Sequence, residues 1–137
     1  MPRFAVFVMS FMLLAGCAAT KEAFKGVAGV STKVLYDTRD DAAKKTFACD
    51  YNSCYGMVKA ALLKQGAYIY AEDKAKHMIA VYLSNEDTTP VGIFLTAMDA
   101  GNTRVEVSSG SAYAKEVVSI AVFSDIGKAL KKQEGAS

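Results

Sequence analysis

Apolar side chains recur along this chain at two spacings, and the change from one to the other marks out its elements. Lys45-Thr46-Phe47-Ala48-Cys49 reads as a short strand. From Tyr51 to Gln65 the spacing is helical, with Cys54, Val58, Ala61, Leu62 and Gln65 on one stripe. Asp50 stands where an N-cap carboxylate accepts orphan amide protons, and Gly66 where a left-handed residue ends a helix. Alternation then returns in four strands, Ala67–Ala71, His77–Leu83, Pro90–Ala97 and Thr103–Ser108. Polar turns separate them: Glu72–Lys76, Ser84–Thr89 and Asp99–Asn102. A last helix runs from about Ala112 to Lys132, capped by Ser109 or Ser111, with Val118, Val122, Ile126 and Leu130 four residues apart. Its first half is apolar almost all round, which predicts the most buried helix. The order β-α-β-β-β-β-α predicts an α+β fold, a two-layer sandwich of an antiparallel sheet with two helices on one face. The compact domain is expected over residues 45–132, with 133–137 a frayed tail.

Alternation also sorts the strand residues by face. Ile69, Ile79, Val81, Leu83, Val91, Ile93, Leu95, Val105 and Val107 are branched aliphatics and should meet the helices. Tyr68, Tyr70, Met78, Tyr82, Phe94, Thr96, Met98, Arg104 and Glu106 point the other way. A sheet face left to water should read polar, and this one reads aromatic grading into charged. One reading is structural: tyrosines pair well in sheets, or the segment Ser31–Lys45 folds back as a short helix and covers them. The other makes Tyr68, Tyr70, Tyr82 and Phe94 an interaction face for another protein, a second copy or an apolar ligand.

The amino terminus has a different logic. Arg3 precedes Phe4–Leu14, eleven residues apolar except for Ser10, and the small residues Ala15-Gly16 and a cysteine follow. This is the layout of a secretory signal. As a helix the core rises about 16 Å, against about 30 Å of hydrocarbon, so it addresses a translocase and does not span. Leu14-Ala15-Gly16-Cys17 resembles the lipobox of bacterial lipoproteins. The resemblance implies cleavage between Gly16 and Cys17, lipidation of Cys17 by acyl chains such as palmitate, and anchorage in the cell envelope. Ala18, where an aspartate favours the inner membrane in that family, implies the outer membrane facing the periplasm. One acyl chain binds marginally and two or more bind stably, at about 0.8 kcal/mol per buried methylene. Residues 1–16 are then a signal peptide and 17–44 an anchored tether with a short helix. Element order across roughly residues 45–132 further resembles the helix-grip domain of a lipoprotein subunit of the outer-membrane β-barrel assembly machinery, and small bacterial lipoproteins of unknown function. Such a likeness implies a fold and carries no function.

If Cys17 takes lipid, Cys49 and Cys54 remain in an oxidising compartment. An even remainder there points to a disulfide; two buried thiols are the other reading. Their C-x4-C spacing matches neither redox nor haem motifs. No metal site is expected, because His77 is the only histidine, and no cofactor motif is present.

Composition removes further classes. A chain of 137 residues suits one domain, and 22% charged residues with 52% hydrophobic exclude a wholly disordered one. A net charge of +2 is too small for a nucleic-acid binder, and losing Arg3 lowers it further. No G-x-S-x-G, H-E-x-x-H or phosphate loop occurs. The carboxylates at Asp37, Asp40, Asp41, Glu86 and Asp87 read as solvated polar segments. The expectation is a non-enzymatic, membrane-anchored periplasmic lipoprotein, a structural or protein-interaction module whose partners are the membrane and another envelope protein or itself. The alternative is a binding protein for a small apolar or lipid-like ligand held between helices and sheet.

Overall fold

The computed structural model describes residues 32–135 of the chain. Val34 onward forms one compact unit, while Thr32 and Lys33 belong with the preceding one. Strands β1 (Ala43–Phe47), β2 (Tyr68–Asp73), β3 (Met78–Tyr82), β4 (Pro90–Asp99) and β5 (Asn102–Ser108) are joined by helix α1 (Tyr51–Lys64) and followed by helix α2 (Ala112–Gly135). The fold is the α+β sandwich that the two spacings predict, an open antiparallel sheet ordered β1-β5-β4-β3-β2. β2 to β5 make a meander. β1 pairs with β5, from Ala43 opposite Val107 to Phe47 opposite Thr103. α1 therefore connects the two edges of the sheet.

Local chemistry sets the ends of α1. Asp50 is extended (φ −66°, ψ 160°), and its carboxylate accepts from Ser53 N (3.1 Å) and Ser53 Oγ (2.6 Å). Those bonds hold the Asp50 carboxyl below its ordinary pKa. At the other end Gly66 takes φ +86°, and Ala67 N donates to the Leu62 carbonyl at 3.0 Å. Ser111 Oγ accepts from Ala114 N at the start of α2 (3.2 Å). The helices and one sheet face enclose the main core, in which Val58, Leu62, Ile79, Ile93, Leu95, Val118, Val122 and Ile126 are buried.

Three of the boundaries that differ from the sequence expectation matter most. β1 lies at Ala43–Phe47 instead of 45–49. A slip of two residues keeps every side chain on its face, so alternation alone does not exclude it. The compact unit starts at Val34, not 45, because residues 34–41 are packed on the sheet. Helix α2 continues to Gly135, through residues read as frayed.

A fourth difference concerns α2 itself. Its first half is not buried all round: Ala114, Val118 and Val122 point inward, while Tyr113, Val117 and Ile120 stay exposed. The helix covers the sheet on one side only, so an all-round apolar sequence leaves a stripe outside.

Residues 34–41 form a strap across the second sheet face, closing a short helix at 37 and continuing as a 3₁₀ turn, Arg39–Asp41. Leu35 is fully buried against Met78, Ala80 and Phe94. Gly92 makes this approach possible: a Cβ there would stand 3.1 Å from both Cβ and Cδ1 of Leu35. The Ser108 hydroxyl donates to the Leu35 carbonyl (2.8 Å) and lies 2.7 Å from Thr38 Oγ1. Lys115 Nζ donates to the Asp41 carbonyl at 2.8 Å.

Candidate functional site

The strap decides which part of the aromatic face meets water. Phe94 does not: it is fully buried beneath Leu35, with the Tyr36 ring edge-on at 5.1 Å and the Arg39 guanidinium 4.3 Å above it. This corrects the expectation that Phe94 belongs to an interaction face. A phenylalanine left in water forfeits its burial free energy, and the strap recovers it. The cover is pinned at Glu106, itself buried, whose Oε2 accepts from Arg39 Nε at 2.6 Å. Arg104 Nε lies 3.3 Å from the other carboxylate oxygen without hydrogen-bond geometry, so its attraction there is Coulombic. The Tyr36 hydroxyl is buried without a partner, and burial raises its pKa.

Beyond the strap the face opens at the β2–β3 edge. Tyr68 is 52% exposed and sits opposite Tyr82 in the register. Their rings stack with centroids 6.2 Å apart. A register shift between Ile69 and Ala71 makes Tyr70 the extra residue of a bulge. Its ring also stacks on Tyr82, at 4.2 Å. Three tyrosines thus form a stack on the last strand pair, Tyr68 outermost, Tyr70 and Tyr82 half-buried. β2 is an edge strand, with one side of its backbone unpaired in the sheet. The opposite edge, β1, carries the exposed Lys44 and Lys45, a composition that discourages strand addition.

Cys49 and Cys54 stand at disulfide distance, Cα to Cα 5.7 Å, where β1 turns into α1. Both are buried in the main core, and the Thr103 hydroxyl donates to the Cys49 carbonyl at 2.9 Å. The lipobox residues, with Gly16 and Cys17, lie outside the described residues.

One cluster has no counterpart in the sequence pattern. His77 adopts φ +54° at the end of the β2–β3 turn, and its Nδ1 lies 2.8 Å from the Tyr51 hydroxyl. The two rings meet edge to face at 5.0 Å. A surface groove of about 220 Å³ is lined there by Tyr51, Asn52, Tyr55, Lys74 and His77. The Tyr55 hydroxyl donates to Glu72 (3.2 Å), which also takes Lys59 Nζ at 2.9 Å. Burial first, then the Glu72 carboxylate, pushes the Tyr55 phenol up to about 12. The Lys59 ammonium holds Glu72 below its ordinary value. No spacing rule joins Tyr51 to His77. For the strap a signal did exist, since a glycine inside a strand, Gly92, marks a close approach.

Among the described residues no three His, Cys, Asp or Glu side chains gather to hold a metal, and no helix is long and apolar enough to cross a membrane. No protein-family profile matches the chain, and no curated protein is similar to it in sequence.

Proposed function

We propose that this chain is a lipid-anchored protein of the bacterial envelope, outer membrane and periplasm side, whose α+β body is a non-enzymatic protein-interaction module. The observation that carries the module reading is the tyrosine stack at the unpaired β2 edge. Part of the aromatic face is sealed by Leu35 and Arg39, yet Tyr68 is left half in water beside Tyr70 and Tyr82. Aromatic rings that are rigid, amphipathic and already stacked lose little entropy on contact, which suits an interface anchor. Partners of this kind are another envelope protein or a second copy. The anchor reading rests on the sequence Leu14-Ala15-Gly16-Cys17. A small apolar ligand between helices and sheet is less favoured, because side chains such as Val58, Leu62, Ile93 and Val122 occupy that space.

The test separates contact from packing. A photo-crosslinking amino acid replaces Tyr68 in the native host, and covalent adducts are read by mass spectrometry. A defined protein adduct, lost on Tyr82→Ser while the thermal midpoint of the body holds, is the expected result. A folded protein that forms no adduct overturns the module reading. Anchorage is read separately, as loss of membrane association in Cys17→Ser.

A further inference from the structure

A second exposed surface lies away from the tyrosine edge. Tyr113, Val117 and Ile120 are 69%, 37% and 62% exposed, and their spacing of four and three puts them on one face of α2. Val34, in the strap, lies near the start of this helix. Val34 is 39% exposed, and its Cγ1 approaches Gly110, just before α2, within 3.6 Å of where a Cβ would stand. Farther along the same face the character changes, to the exposed Ser124, Lys128 and Lys131.

We infer that the stripe Tyr113–Val117–Ile120 rests on the lipid bilayer, so that the body lies on the membrane with α2 down and the tyrosine edge turned outward. The inference rests on the anchored reading of Cys17. Position argues for it first. Val34 is where the compact unit begins, and it stands by Gly110, so the chain coming from the anchor enters the body near the start of α2. The seventeen residues from Cys17 to Val34 reach at most about 60 Å, at roughly 3.3–3.6 Å each. A body held so close meets the membrane at about millimolar effective concentration, so a weak apolar contact is enough to be populated.

Size argues against the other occupants. A stable protein interface takes roughly 20–30 residues a side, and this stripe offers three side chains with no unpaired strand edge beside them of the kind that flanks Tyr68. A bilayer needs no such area, because an apolar stripe with a tyrosine beside it settles into the headgroup boundary. Near the stripe Glu116 offsets Lys115, whose ammonium donates to the Asp41 carbonyl, while Lys128 and Lys131 continue the same face. The apolar residues set the contact, and the lysines add a salt-dependent pull toward anionic lipid. The geometry also sets β2 away from this contact, since α2 packs over β1, β5 and the central β4.

The chain contains no tryptophan, so a single introduced indole reports its own surroundings. Ile120→Trp and, as control, Tyr68→Trp are each made in the full lipidated chain and placed in vesicles of phosphatidylethanolamine with a phosphatidylglycerol minority. Quenching is read with phosphatidylcholine spin-labelled near the headgroup end of its acyl chain. The expected result is blue-shifted emission from Ile120→Trp, quenched about threefold more strongly than that of Tyr68→Trp, a difference reduced but retained at high salt. Adding Val117→Asp to Ile120→Trp should abolish the difference with the circular dichroism spectrum unchanged. Equal quenching of the two variants, or none in Ile120→Trp while the protein stays on the vesicles, overturns the inference and leaves the anchor standing. A blue shift in Ile120→Trp that grows with protein concentration and ignores the spin label overturns it in favour of a second copy. If the chain does not stay on vesicles at all, the anchor reading fails and the inference falls with it.

Discussion

Leu35 is the sharpest place to test whether the strap belongs to the fold. Leu35→Ala removes three methyl or methylene-sized groups from a fully buried site lined by Met78, Ala80 and Phe94. Transfer alone costs about 2.4 kcal/mol at ~0.8 kcal/mol per group. A cavity adds to this, and relaxation of the strap subtracts. The expected loss is about 2–3 kcal/mol, which lowers the midpoint by roughly 10 °C or more for a unit of this size. Uncovered Phe94 and Met78 should also increase the fluorescence of a bound hydrophobic dye. Urea denaturation followed by far-UV circular dichroism gives the free energy, and dye binding reports the face. Gly92→Ala supplies the partner measurement. The new Cβ meets Leu35 Cβ and Cδ1, both at 3.1 Å, and only the second contact disappears in Leu35→Ala. The two substitutions should therefore couple, Gly92→Ala costing about 1 kcal/mol less when Leu35 is already alanine. A loss under about 0.5 kcal/mol for Leu35→Ala, the range of ordinary surface substitutions, with no added dye binding, would show the strap lying outside the cooperative unit.

Glu106→Gln should destabilise by about 1–2 kcal/mol, below the range for a fully buried pair because the Arg39 and Arg104 side chains are about a third exposed. Urea titration measures it, and Arg39→Met in the same background should cost less than in the parent. Reducing Cys49–Cys54, or replacing both by alanine, should cost about 2 kcal/mol for so short a loop, read as a midpoint that falls with reductant in the parent and not in the double variant. Alkaline titration followed by tyrosinate absorbance should show one late component near 12 that Tyr55→Phe removes. Its folded pKa stands above the unfolded value of about 10, so the neutral phenol's contribution is whole below that value and is lost as pH rises through about 12. A Tyr55→Phe protein with the same alkaline stability profile as the parent would refute that linkage.

What this sequence determined by itself is what depends on neighbours along the chain. Asp50 caps α1 because its carboxylate reaches the amide three residues on, and Gly66 ends it because the left-handed turn there suits a residue without Cβ. Val91, Ile93 and Leu95 face the helices because a strand alternates, whatever lies across from it. What only the tertiary structure decided depends on groups far apart in sequence: Arg39 with Glu106, Leu35 against Gly92, Tyr51 with His77. The strap reads as a polar segment with a few apolar residues until the sheet face supplies a slot for Leu35. Phe94 and Tyr68 carry the same alternation and the same aromatic character, yet one is sealed and the other left in water. That difference is set by where a segment more than fifty residues before Phe94 comes to rest, which the alternation within a strand does not encode.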